Sequence, residues 1–399
     1  MTDPSGSGPA GRSASVADHR ARIRAGVAPL DRSESLPVDE ARGRVLAADV
    51  AAALAVPPFD HAAMDGFAVR AAEVVAPPVE LPVVGVVAAG DPAPPDLPAG
   101  AAYRIMTGAP VPAGADLVIP FEWTTGTDPV RVERSAGAGR HVRRQGEDVG
   151  AGEVALRAGT RLGAAQLGLL TSMGVAEVAV RPRPRLGVIA TGAELVGGQI
   201  PDSNTRTLLA AGRAEGAVAT AHGPAPDDPD GFRSMLAAAA EVSDLVVTTG
   251  GISAGDHDVV KAALAGTDGF WFGPVALKPG RPQGFGRVRA SDGRQVPVLT
   301  LPGTPIAAYA AFLLFGREAL ARLGGAAGAA TRRAPLGVPV AAGDRTVVLP
   351  GVYDENGHVV PLPGHAGHSQ RLLAQAEVLM VVPPVGGELA AGRSIEVLL

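Results

Sequence analysis

The sequence predicts a multidomain α+β protein built around an α/β domain with a mostly parallel sheet, and three observations predict it. Apolar strands alternate with capped helices from Arg185 onward, the pattern of a parallel sheet covered on both faces. Residues 51–143 instead carry short Val-rich strands separated by Pro/Gly turns, and residues 331–399 return to short strands. The 399 residues suffice for several cores, and the 53 glycines and 36 prolines punctuate apolar segments rather than form a low-complexity tract.

Residues 1–15 (MTDPSGSGPAGRSAS) are small and polar, lack the apolar stretch of a signal peptide, and are expected to be a disordered tail. Helices are expected at 16–30 and 38–46. With a strand at 154–156 and a helix at 164–173 they make a small helical/mixed domain from residues 16–50 plus 144–180. The β domain inserted at 51–143 has expected strands at 81–87, 102–107, 116–120 and 130–133. Pro182 and Pro184 mark the linker into the α/β domain, residues 181–330. There a strand at 186–191 is followed by the capping run Asp202-Ser203-Asn204 and a helix to 215. A strand at 218–222, a helix after Asp227-Asp228-Pro229 and a strand at 244–249 come next. Gly255-Asp256 open a further helix, strands fall at 270–275 and 296–301, and Pro305 starts a long apolar helix. The C-terminal β domain, 331–399, has strands at 346–349, 378–382 and 395–398.

Composition narrows function. A net charge of −5 argues against nonspecific nucleic-acid binding, which needs a basic surface. Without cysteine there are no disulfides, iron–sulfur clusters or thiolate metal sites. No apolar run is long enough to span a bilayer, so no membrane is expected and the cytoplasm is the expected location. Of 35 basic residues only Lys261 and Lys278 are lysines, and they fall in one stretch. An ammonium and a guanidinium are not interchangeable at a tight anion site, so the pair points to one.

Open parallel sheets bind ligands beyond the carboxyl ends of their strands, so the turns after Thr191, His222, Thr249, Val275 and Leu301 are the ones to search. Thr249-Gly250-Gly251-Ile252-Ser253 runs from an apolar strand into glycines that let backbone amides approach an anion, with the Ser253 hydroxyl as a further donor. It is neither a Walker A loop nor a Rossmann fingerprint. Asp256 and Asp258 follow, either as oxygen ligands for Mg²⁺ beside a phosphate or as helix-capping and first-turn carboxylates. Glu194 would face the same crevice as a metal ligand, whereas Asp227 is equally placed to cap its helix. Lys278-Pro279-Gly280-Arg281-Pro282 displays two cations on a stiffened loop, suited to a phosphate or another oxyanion. Pro302 and Pro305 flank the last turn, where Pro305 is also expected structurally. Read alone, Asp65, Thr107 and Asp148 are turn and surface residues.

Taken in order, FDHAAMDGFAVR, RIMTGAPVP, GEDV, ATGAEL, DSN, DDP, TTGGISAGDHDVVK, LKPGRP and LPGTP resemble the molybdopterin molybdenumtransferase family, which includes MoeA-like proteins and the gephyrin E domain. The resemblance runs from about residue 20 to the C-terminus. It implies that the central domain is molybdopterin-binding and that the protein is a homodimer whose α/β domain faces the partner's β insert. It also implies the reaction: adenylylated molybdopterin and molybdate give molybdenum cofactor and AMP, with Mg²⁺ or another divalent cation. The upstream adenylyltransferase and recipient molybdoenzymes are the implied further partners. Family residues linked to function correspond to Asp65, Thr107, Asp148, Glu194, Asp227, Asp258, Lys278, Pro302 and Pro305. The sequence departs from the family at Arg281, Thr304, Ala307, Phe272, Ala193 and His61-Ala62, several of which fall at the oxyanion end of the site.

These readings assign catalysis to Asp258, Lys278, Glu194 and Asp65, and metal binding to Asp258, Glu194 and Asp256. Molybdate falls to Arg281 and Lys278, and the pterin and its phosphate to Thr107, Asp148, Thr249, Gly250, Gly251, Ser253, Asp227, Pro302 and Pro305. Two alternatives stand beside the transferase: a non-catalytic paralogue serving as a pterin-binding scaffold, and a molybdopterin adenylyltransferase acting one step earlier.

Overall fold

The computed structural model describes residues 13–92, 94–252, 258–326, 328–329, 331–364 and 369–398. They form two compact units: Ser35–Val180, and the chain up to Glu34 together with the chain from Arg181 onward.

In the larger unit, helix α1 (Val16–Gly26) is capped by Ser15, whose side chain accepts from Asp18 N. A six-stranded sheet follows, of β1 (Arg185–Thr191), β2 (Val218–Ala225), β3 (Leu245–Thr249), β4 (Trp271–Pro274), β5 (Pro282–Arg289) and β6 (Gln295–Leu301). Its order is β2-β1-β3-β6-β5-β4. The first four are mutually parallel, while β5 runs antiparallel to both β6 and β4. Helices α2 (Ser203–Ala214), α3 (Pro229–Val242) and α4 (Val259–Leu264) follow β1, β2 and β3. After β6 come α5 (Pro305–Ala311), a π turn at Phe312–Gly316 and α6 (Arg317–Leu323).

The parallel strands read as continuous apolar runs because both faces are covered. Leu245 and Val247 enter one core with Leu208, Phe312 and Leu320, and Val246 between them enters the other with Phe232, Leu236 and Val260. Each such side chain contributes about 1.5–3 kcal/mol by leaving water.

Several features differ from the sequence expectation, the first being that the expected tail is already ordered at Ala14, which bridges to Val275, and at Ser15, the cap of α1. The first helix ends at Gly26 and packs in the larger unit, with Ile23 in the core beside Leu323 and Arg24 bonded to Glu318 at 2.6 Å. The helix expected at 38–46 is a single 3-10 turn, Val38–Glu40; beyond it Gly43 takes φ +78°, and Val45 and Leu46 bridge to Arg161 and Val180. Strand β5 was not expected at all. Finally, Leu277–Lys278 forms a short strand that joins a different sheet, pairing in parallel with Thr346 and Val347. That second sheet, built mainly from Thr346–Tyr353, Val378–Val382, Ser394–Leu398 and Arg332–Pro335, is the C-terminal β region.

In the smaller unit the core of Val38, Leu46, Leu170 and Met173 is separate from those of the inserted sheet. That four-stranded sheet is ordered Val83–Val87, Ala102–Ile105, Gly66–Val69, Leu117–Pro120. Gly66 starts its strand against Ile119, where a Cβ would stand 2.8 Å from the Ile119 carbonyl carbon. No helix of the described residues is long and apolar enough to cross a membrane.

Candidate active site

Beyond the carboxyl ends of β1, β3 and β6 lies a cavity of about 580 Å³, within the range of small-ligand sites. It is built by the turns that the sheet topology singles out. After β3 the chain turns through Gly250 and Gly251 at φ +92° and +64°. A Cβ on Gly250 would stand 2.7 Å from Thr191 Oγ1, and one on Gly251 2.9 Å from Val260, so only glycine fits either place. Gly250 N donates to Leu301 O at 3.0 Å, and a Cβ on Gly303 would lie 3.3 Å from Gly250 Cα. The turns after β3 and β6 therefore touch backbone to backbone.

Thr249, Gly250, Gly251, Glu194, Asp227, Asp258, Pro302 and Pro305 all line this cavity. Asp258 occupies the N-cap position of α4 but makes no capping bond with its side chain. Its Oδ2 is buried and has no hydrogen-bond partner among the described residues. Asp227 does not cap α3 either. Asp228 does, accepting from Gly231 N, while Asp227 Oδ2 accepts from Ala193 N at 2.7 Å and anchors the turn that carries Glu194. Asp202 also lines the cavity, as the cap of α2, which among the described residues brings four carboxylates to its wall and no lysine or arginine. Ser253 and Asp256 lie outside the described residues.

The two cations expected on this site are not in the first cavity. Arg281 borders a neighbouring cavity of about 420 Å³ together with Lys261 and Phe272, and the two cavities share Ile252 and Pro282 as lining residues. Lys278 lines neither. Its strand is held by the C-terminal sheet, and its side chain is exposed. Of the two lysines, Lys261 is the one that borders the second cavity with Arg281. Among the described residues neither of those two forms an ion pair.

Asp65 and Thr107 meet in the smaller unit. Asp65 Oδ1 accepts from both the backbone N and Oγ1 of Thr107, each at 2.7 Å. These two bonds, the backbone one first, hold the Asp65 carboxyl below its ordinary range. Asp148 is exposed on the loop that follows Arg144, and its backbone N donates to Val56 O at 3.0 Å.

Asn204 was not singled out as a site residue. It lines the first cavity, and its amide donates to Thr249 Oγ1 at 3.1 Å and to Gly303 O at 2.7 Å. Its signals in the sequence were the run Asp202-Ser203-Asn204, which reads as a helix start, and that run's place among the strings that carry the resemblance.

Fold and cavity together define a multidomain protein organised around an α/β ligand-binding domain. Three family models match in chain order: the MoeA N-terminal region (domain I and II) over residues 14–174, a probable molybdopterin binding domain over 187–322, and the MoeA C-terminal region (domain IV) over 333–399. Molybdopterin molybdenumtransferase 2 of Mycobacterium tuberculosis is 39% identical over 407 residues, spanning 96% of this chain and 98% of that protein. The molybdopterin molybdenumtransferase of Haemophilus influenzae is 36% identical over 74% of each. The crystal structure of the molybdopterin biosynthesis moeA protein from Pyrococcus horikoshii OT3 superposes with a TM-score of 0.83 at 27% identity, covering 97% of this chain and 100% of that one. The chain belongs to the molybdopterin molybdenumtransferase (MoeA) family.

Proposed function

We propose that this protein inserts molybdate into adenylylated molybdopterin and releases AMP, in the cytoplasm and as a homodimer. One observation carries the reading: a cavity walled by four carboxylates and glycine-turn amides adjoins a second cavity bordered by Lys261 and Arg281. The first cavity holds the phosphoanhydride-bearing part of the substrate and the second the oxyanion. A phosphate is repelled by uncompensated carboxylates, so the first cavity needs a cation before it accepts one.

The residues present fit a divalent cation. Asp258 offers a buried carboxylate oxygen that nothing among the described residues satisfies, and Glu194 and Asp227 stand in the same wall. No three described His, Cys, Asp or Glu side chains converge as a complete metal site. That suits Mg²⁺, which usually takes one or two carboxylates and fills its remaining positions with water and phosphate oxygens. Bound there, such an ion would neutralise charge on the phosphates. Asp258 and Glu194 would hold it, Asp227 fixes the Glu194 turn, and the Gly250–Gly251 amides orient the phosphate. Cleaving the phosphoanhydride by water releases AMP and leaves the pterin phosphate. Lys261 and Arg281 hold molybdate beside the dithiolene, and Lys278, exposed three residues before Arg281, is proposed as a further cation for it. Asp65 and Thr107 of the inserted domain, and Asp148 of the loop that follows it, are proposed to contribute to pterin binding.

The test is to supply adenylylated molybdopterin, molybdate and Mg²⁺ and assay both AMP and active cofactor. AMP formation with transfer of active cofactor to an apo-molybdoenzyme supports the reading. Tight pterin binding without AMP would make the protein a scaffold, a reading that the replacements at Arg281, Thr304, Ala307 and Phe272 motivate. AMP incorporation from ATP would instead make it an adenylyltransferase.

A further inference from the structure

We infer that Asn204 is a positioning residue of the cavity, a clamp that sets the two ligand-facing turns after β3 and β6. The inference rests on the function proposed above, and its structural core can be tested without it.

Asn204 is the second residue of α2, whose start is fixed by Asp202 accepting from Thr205 N at 3.0 Å. Both hydrogens of its amide are spent inside the protein, on Thr249 Oγ1 at 3.1 Å and on Gly303 O at 2.7 Å. Thr249 is 2% exposed, and its hydroxyl, having accepted from Asn204, donates to Pro302 O at 2.9 Å. The direction of the relay is thereby set: amide to hydroxyl to carbonyl. One side chain thus ties three segments of the wall, the α2 start, the end of β3 and the turn after β6. The flip state of the amide is fixed too, because its oxygen would meet the Gly303 carbonyl oxygen if reversed.

The clamp works on peptide planes. In a trans peptide C=O and N–H point opposite ways. Tying back the Pro302 and Gly303 carbonyls turns the Gly303 and Thr304 amides away from Asn204, and neither amide has a backbone or side-chain acceptor among the described residues. The same bonds hold Gly303 against Gly250, so the glycine turn after β3 is braced from the far side. Only a two-hydrogen donor of this length serves, since a carboxylate there would face the Gly303 oxygen.

Three variants test this. Asn204→Ala removes the donors, Asn204→Asp keeps the shape, and Thr207→Ala is a control on the same helix, where the hydroxyl only bonds back to Ser203 O. In unliganded protein, hydrogen exchange read by mass spectrometry should quicken about 10-fold in the segments around Gly250 and Gly303 for Asn204→Ala and stay at wild-type rates for Thr207→Ala, as expected for loss of two hydrogen bonds. Unchanged exchange in both segments overturns the clamp. In the AMP-release assay Asn204→Ala should lose about 10-fold or more in kcat with a smaller change in KM. Asn204→Asp should regain activity relative to Asn204→Ala as pH falls from about 8 to about 6, because a protonated carboxyl can again donate to Gly303 O. Identical pH profiles for the two variants would remove the donor role. Absence of AMP release from the wild type would sink the proposed function and leave the exchange test standing.

Discussion

At the amino ends of the strands Asp244 is enclosed by arginines, and at the carboxyl ends Glu194, Asp227 and Asp258 have none among the described residues. Asp244 is 4% exposed, accepts from Arg185 at 2.8 Å and from Arg32 at 2.7 Å, and lies 3.9 Å from Arg294. Burial acts strongly against its charge, yet the hydrogen bonds from Arg185 and Arg32 prevail and hold its carboxyl below the ordinary range. This end of the sheet is a staple joining the α1–β1 connection to the strand ends. The carboxylates at the other end form no salt bridge among the described residues, and one oxygen of Asp258 is buried with nothing to bond. Charge that is already neutralised serves the fold, whereas charge left uncompensated at a cavity is what a ligand or its cation can use.

Four experiments can break or sharpen this contrast. Asp244→Ala should cost the most, about 3 kcal/mol of stability, because it removes the buried acceptor of the Arg185 backbone N–H and of two charge-assisted bonds from Arg185 and Arg32. A shift in the urea midpoint measures it, and AMP release by the folded fraction should stay near wild type. Asp258→Ala should show the reverse: about 10²-fold less AMP release, about 2.7 kcal/mol in the barrier, with an unchanged urea midpoint. If Asp258→Ala unfolds the protein while Asp244→Ala does not, the contrast is wrong.

His19 supplies the third test, as a buried group whose one charged neighbour has its own sign. It is fully buried between Trp271 and Phe315, with Arg22 donating to Nδ1 at 3.3 Å. Burial first, and the Arg22 charge second, lower its pKa from 6.5 to about 3. Below 6.5 the unfolded chain takes up a proton that the folded one refuses. Stability is therefore complete above that pH and is lost on acidification toward the folded value. The slope is about 1.4 kcal/mol per pH unit, so about 2 kcal/mol is lost by pH 5, before most carboxylates titrate. His19→Gln should flatten urea midpoints across that interval. Smallest is Arg281→Ala, expected to raise the molybdate concentration for half-maximal turnover about 10-fold, or about 1.4 kcal/mol. No change would move the oxyanion away from the second cavity.

Much of the frame was legible in the sequence because its signals are local. Apolar runs of strand length ending in Thr191, Thr249 and Leu301 located the strands that carry the cavity, and open-sheet topology located the turns. Strand β5 escaped notice because Gly284 and Gly286 interrupt its side-chain pattern. Those glycines lie under neighbouring rings: a Cβ on Gly284 would stand 2.7 Å from Phe272, and one on Gly286 2.8 Å from Phe270 Cα. The reason for the pattern lies on another strand, beyond the reach of local periodicity. Asp227 and Asp228 are equivalent as sequence, and only the helix geometry decides which one caps. Lys278 was misplaced for a similar reason, since nothing in Leu277-Lys278-Pro279 says which sheet will recruit it. Asn204 and Thr249 lie far apart in sequence, and their bond exists only once the sheet is assembled.

That recruitment has a mechanical consequence. Leu277–Lys278 is stitched to the C-terminal sheet, and Pro282 already belongs to the central one, so only Pro279, Gly280 and Arg281 span the gap. So short a tether transmits displacement instead of absorbing it. The guanidinium on its last residue is thus aimed by two sheets at once, and the C-terminal region, whose described residues contribute no side chain to the lining of either cavity, acts as the bracket for one of them.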